Sequence, residues 1–195
     1  MAEEAPMENE KIDLIRSRVG SQLPKFGTHG YEHTERVYKA CQVLGAEAGA
    51  DLDTLLPAAL LHDIARGDEN HAVASAEQAK GVLEALEMSQ DRIEAITAAI
   101  SSHSFSGGSK PQSLEAQVLS DADKLDAMGA LGVYRAAMYS AEHGRPISDF
   151  VAHFHEKLLT LKDLLHTERA KRLAEARHEF MQVYLDQLEK ELSLV

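Results

Sequence analysis

Apolar residues recur at helical spacing along nearly the whole chain. Positions i, i+3, i+4 and i+7 share one side of a helix, and that pattern predicts helices near 9–22, 31–49, 52–66, 71–88, 90–103, 113–128, 129–142, 148–163 and 167–193. The breaks carry turn chemistry: "LPKFGTHG", "RGDEN", "SFSGGSKPQ" and "HGRPIS". No segment alternates with period two over a useful length, and no internal repeat is present. The predicted fold class is all-α: one helical domain over residues 9–195, preceded by a disordered acidic tail at residues 1–8.

Several of these apolar stripes are interrupted by polar residues of one kind. On the predicted second helix, His33 shares its side with Val37, Ala40 and Leu44. The third, "AALLHDIARG", is apolar nearly all round and should be buried, yet it carries His62 and Asp63 in its middle. On the sixth, Asp121 shares its side with Leu114, Val118, Leu125 and Met128, Asp123 projects to the opposite polar side, and Asp126 lies well off the stripe. His103 sits beside Ile96, Ala99 and Ile100, and His71 opens the fourth helix on a side shared with Ser75, Gln78 and Val82. A buried carboxylate without a partner is expensive, so each needs one. A lone inward His is usually a hydrogen-bonded core residue, and a lone Asp can cap a neighbouring helix or pair with Arg. Inward imidazoles and carboxylates on several helices have a further solution, a shared divalent cation, for which they are suitable donors.

Composition narrows the setting. A chain of 195 residues with 44% hydrophobic content is long enough to bury one sizeable core and short for two. Without Trp, and with 5 Tyr and 5 Phe, that core must be aliphatic. The net charge of -12 argues against a long nucleic-acid groove, although a small anion could be received by a cation and local bases. Cys41 is the single cysteine, so no intrachain disulfide forms, and it reads as a small buried residue. No run is long and apolar enough to span a bilayer and the N-terminus has no signal-peptide pattern, so the expected setting is soluble and cytoplasmic, with no membrane partner.

The order His, then His-Asp, then Asp resembles the HD superfamily of metal-dependent phosphohydrolases. It is carried here by "GYEHTERV" with His33, "LLHDIA" with His62 and Asp63, and "LSDADKLDAMGALG" with Asp121. Further matches to the small stand-alone bacterial branch are Asn70-His71, "HSFS" at His103 to Ser106, Asp121 to Leu125, and the tail at residues 153–181, so that the resemblance spans about residues 25–190. It implies an HD domain with a metal-binding core at about residues 25–142 and C-terminal helices at 148–193. It further implies a mononuclear site of His33, His62, Asp63 and Asp121. The implied activity is hydrolysis of a small phosphorylated substrate, a nucleotide foremost, by attack of a metal-activated water on phosphorus. Related members resemble nucleoside triphosphate pyrophosphohydrolases. Mn²⁺ heads the candidate ions, with Mg²⁺, Co²⁺, Ni²⁺, Fe²⁺ and Zn²⁺ also compatible.

Supporting roles follow from position. His71, His103, Arg36 and Lys124 are candidates for gripping phosphate, Arg36 and Lys124 each lying within one turn of an implied ligand. Arg66 comes from the turn after the His-Asp pair. Asp68 and Glu69 are candidates to orient the attacking water, or caps for the next helix. Asp126 either supports a ligand imidazole or faces solvent. Leu158, Leu161, Leu165 and Leu173 read as core or as the seam of a homodimer. Two other functions stay open at this level: a di-iron HD oxygenase using His71 and His103 as extra ligands, and a non-catalytic nucleotide- or metal-binding signalling module.

Overall fold

The computed structural model describes residues 9–68, 70–104 and 110–194. Among them are nine α-helices, a 3₁₀ segment and no strand. The chain divides into two compact units, Met1–Ser120 and Asp121–Val195. The acidic tail, Glu69 and the glycine pair of "SFSGGSKPQ" lie outside the described residues.

In the first unit, α1 (Asn9–Gln22), α2 (Tyr31–Ala48), α4 (His71–Ala85) and α5 (Gln90–Ser102) all pack on α3 (Leu52–Leu61). This central position explains why α3 is apolar on every side: Leu55, Ala58, Ala59, Leu60 and Leu61 are fully buried. Asp51 starts α3, its carboxylate accepting from the Asp53 amide at 3.0 Å and the Thr54 hydroxyl at 2.9 Å. Arg92 of α5 donates to the same carboxylate. A Cβ on Gly45 of α2 would lie 2.4 Å from a Leu55 methyl, so a larger residue there would displace the Leu55 side chain between these two helices. Cys41, also on α2, is a fully buried thiol.

The α3 helix is shorter than its periodicity predicts. The apolar pattern continues to 66, but the helix stops at Leu61. The Ala65 amide donates to Ser75 Oγ of α4 at 3.1 Å, and the backbone beyond His62 winds as three-residue turns. Ile64 bonds back to Leu61, Arg66 to Asp63 and Asp68 to Ala65. These tighter turns change the angle between successive side chains just where His62, Asp63 and Arg66 emerge.

The second unit holds the end of α6 (Leu114–Asp126), α7 (Gly129–Glu142), α8 (Ile147–Glu156), the 3₁₀ segment Leu158–Leu164 and α9 (Glu168–Leu192). The α9 helix packs on α7 and on the 3₁₀ segment, and α8 packs on the same two elements. The helix predicted over 148–163 is therefore two elements, separated at Lys157, whose backbone (φ -133°, ψ -61°) leaves the helical region. Leu158, Leu161 and Leu165 are core positions, buried with Phe150, Phe154, Met181 and Leu185. Asp126 does not face solvent: it is buried and ion-paired with Arg135 at 3.0 Å. No helix among the described residues is long and apolar enough to cross a membrane.

Candidate metal centre

The loop before α2 folds back on itself. The Tyr31 amide donates to Pro24 O at 2.8 Å and the Gly30 amide to Gly27 O at 3.2 Å. A Cβ on Gly30 would lie 2.6 Å from Phe26 O and 2.7 Å from Pro24 O, so only glycine fits that turn. The result is that His29 stands just before α2 and His33 in its first turn, fully buried.

His62 occupies the C-terminal end of α3, where its Nδ1–H donates to the Ala59 carbonyl at 2.7 Å. That bond fixes the tautomer and leaves a lone pair on Nε2. This Nε2 lies 3.2 Å from Nε2 of His33. Asp63 Oδ2 is 3.7 Å from the His33 nitrogen and 3.8 Å from that of His62. Donors bound to one ion at about 2.0–2.2 Å stand about 3–3.6 Å apart, so the three atoms fit a divalent cation with little adjustment. The donor chemistry agrees: two imidazole nitrogens and one carboxylate oxygen, all buried.

Asp63 is the hub. Its Oδ2 accepts from Nδ1–H of His29 at 3.1 Å, and Oδ1 accepts from the Arg66 guanidinium at 3.3 Å. Burial alone would raise its pKa. The ring of His62, the His29 hydrogen bond, the Arg66 charge and His33 outweigh burial and hold Asp63 well below the usual carboxylate range. It is an anion at neutral pH, as a metal ligand must be.

Two more histidines close the cluster. His71 Nε2 accepts from Arg66 at 2.8 Å and lies 3.6 Å from Asp63 Oδ1. His103 ends α5 with its Nδ1–H on the Ile100 carbonyl at 2.6 Å, and its own carbonyl accepts from Ser120 Oγ at 2.7 Å. One ligand atom each of His62, Asp63 and His103 lie within 4.8 Å of one another. The first unit thus brings together His33, His62, Asp63, His71 and His103, as their inward positions predicted. It adds His29, which the sequence reading passed over. Its signal was the four-residue spacing in "HGYEH", obscured because His29 is on a loop where no periodicity applies.

The remaining candidates are placed differently. Arg36 is half-buried on α2, one turn beyond His33, and Asp68 is exposed on the turn after Asp63. Glu69 lies outside the described residues. In the second unit, Asp121 sits at the start of α9: Oδ1 accepts from the His166 amide, and Oδ2 from the Thr167 amide and hydroxyl, each at 2.8 Å. Oδ1 keeps a lone pair beyond that single bond. Lys124 is buried, and burial pushes its pKa down against the opposing charges of Asp123 and Asp121.

An all-helical frame with a buried His and His-Asp cluster able to hold a metal is the architecture of an HD domain, and the chain belongs to the HD domain family, which it matches over residues 30–128. Its likeness to particular relatives runs almost end to end. YpgQ of Bacillus subtilis (strain 168) is 33% identical over 195 residues, 95% of each chain. A crystal structure from Lactobacillus plantarum superposes with a TM-score of 0.86 at 32% identity, covering 97% of this chain and all of that one (100%). The structure of Bacillus subtilis YpgQ in complex with ADP gives 0.79 at 32% identity over 94% of this chain and 95% of that one. An HD-superfamily hydrolase from Bacillus thuringiensis gives 0.78 at 32% identity over 96% and 99%.

Proposed function

We propose that this protein is a metal-dependent phosphohydrolase acting on a small nucleotide, a nucleoside triphosphate pyrophosphohydrolase in its most specific form. The observation that carries the reading is the convergence of His33 Nε2, His62 Nε2 and Asp63 Oδ2, with the His62 lone pair directed there by Ala59. Family membership, the hydrolase relative of Bacillus thuringiensis and the ADP bound by YpgQ support it. His33, His62 and Asp63 are the ligands, and Asp121 is the fourth on the strength of its sequence motif. Mn²⁺ is the ion we assign, among several divalent ions that a mixture of imidazole and carboxylate accepts. When bound, a divalent ion acidifies water and neutralises phosphate oxygens.

The chain's own groups do the rest. His103 and His71 line the same cluster and offer nitrogen to a phosphate, with Arg36 and Lys124 as further anchors. Asp68, on the exposed turn after Asp63, is the acid we assign to orienting water, with Glu69 beside it in sequence. Phosphoryl transfer is mostly a matter of position and charge, so a set of this kind is sufficient.

The test is a panel of nucleotides incubated with the protein and Mn²⁺, read by product mass. Release of pyrophosphate from a nucleoside triphosphate is the expected result, and orthophosphate would make the enzyme a phosphatase instead. His62→Ala and Asp63→Ala should each lower the rate by at least about 10²-fold. Unchanged turnover in both variants would reject the site.

A further inference from the structure

Arg66 is placed where a second metal ion would be. Its NH1 reaches Asp63 Oδ1 at 3.3 Å and His71 Nε2 at 2.8 Å, and its NH2 reaches His29 Nε2 at 3.1 Å. A carboxylate oxygen and two imidazole lone pairs are what a divalent cation takes, and here one guanidinium takes all three. On the opposite side of the same carboxylate, Oδ2 faces His33 and His62. Asp63 therefore has two cation-binding edges. The Oδ2 edge, steadied by His29, faces two imidazole nitrogens, and the Oδ1 edge is taken by a side chain of the protein.

We infer that Arg66 is a built-in cation that keeps this centre mononuclear. The inference rests on the metal-site reading above and goes a step past it, to how many ions the cluster admits. His103 adds a further imidazole to the surroundings of this second position. It offers a ligand atom within 4.8 Å of those of His62 and Asp63, and its ring lies 5.7 Å from that of His71. Take the guanidinium away, and Asp63 Oδ1 and His71 Nε2, 3.6 Å apart, are left at a separation close to that of the first donor set, with the His103 ring beside them. Two features make Arg the suitable plug. Its charge is permanent, so it cannot be released by losing a proton, and its planar fork spans three acceptors at once. An ion entering beside it would meet its positive charge across one carboxylate and would have to displace three hydrogen bonds. The same occupancy disfavours a di-iron oxygenase, which needs both edges of Asp63 for metal.

The decisive measurement is metal content per folded chain, by mass spectrometry after equilibration with excess Mn²⁺ and desalting, with the Mn²⁺ electron paramagnetic resonance spectrum as a second readout. The wild type should carry about one ion with an isolated six-line signal. Arg66→Ala and Arg66→Met should carry about two, with the exchange-broadened spectrum of a carboxylate-bridged pair. Arg66→Ala combined with His71→Ala should return to about one. Arg66 is about a third exposed, with side-chain exposure of 35%, and Met keeps its stem, so at least one variant should fold normally by circular dichroism. If neither single variant gains an ion, or the wild type already holds two, the inference is wrong. A wild type with one ion and variants with one overturn it while leaving the proposed function standing. A wild type that binds none overturns both.

Discussion

His62 Nε2 is turned toward His33 by a single bond, from Nδ1–H to the carbonyl of Ala59. His29 acts one step further out, holding Asp63 Oδ2 from the loop before α2. Residues that orient a ligand in this way commonly set affinity by about 10–100-fold. His29→Ala should therefore weaken Mn²⁺ binding by about that factor in calorimetric titration with little change in fold, and unaltered affinity would remove His29 from the centre. Legibility at this scale follows the backbone. His33, His62, His71 and His103 were readable because a helix assigns each position a side, and apolar neighbours identify the inward one. His29 was not, because the turn that aims it depends on Gly30 closing against the carbonyls of Pro24 and Phe26, contacts without a periodic trace. The partnership of Asp126 with Arg135 was hidden for a related reason: the helical wheel of α6 says nothing about what a different helix brings to it.

Helix limits depend on neighbours more than on the helices themselves. The α3 helix ends early because Ser75 of α4 takes the Ala65 amide, and the pattern of apolar residues cannot register a bond made elsewhere. The break at Lys157 was equally silent, since turns of three residues and of 3.6 bury similar positions over so short a span. Between α1 and α2 the tie is polar. Tyr31 Oη donates to Glu35 Oε1 at 2.7 Å and Arg16 Nε to the same oxygen at 2.8 Å. Burial, then the Glu35 hydrogen bond and charge, raise the Tyr31 pKa from 10.0 to about 12. The folded state thus keeps this proton where the unfolded chain has lost it. Its contribution to stability is complete below pH 10.0 and declines as pH rises toward about 12. Urea unfolding across this window should fall more steeply for the wild type than for Tyr31→Phe, and parallel curves would count against the assignment.

For the molecule as a whole, the proposed site would link ion binding to folding. A ligand that binds only the native state adds stability, about 2.7 kcal/mol at a hundredfold excess over its dissociation constant. Mn²⁺ should raise the melting temperature of the wild type, a chelator should reverse the rise, and Asp63→Asn should abolish it. An equal rise in that variant would place the stabilising ion elsewhere. Helical class and the membership of most of the His cluster were evident from periodicity, whereas the division of the chain at Ser120 was not, because it falls inside α6, where the helical pattern is continuous. One further property follows from Cys41, which has no accessible surface on α2. As the chain's lone thiol it is shielded from alkylating reagents until the surrounding helices separate. Its labelling rate, followed over time in native buffer, is thus a clock that counts spontaneous openings of the first unit without any added probe.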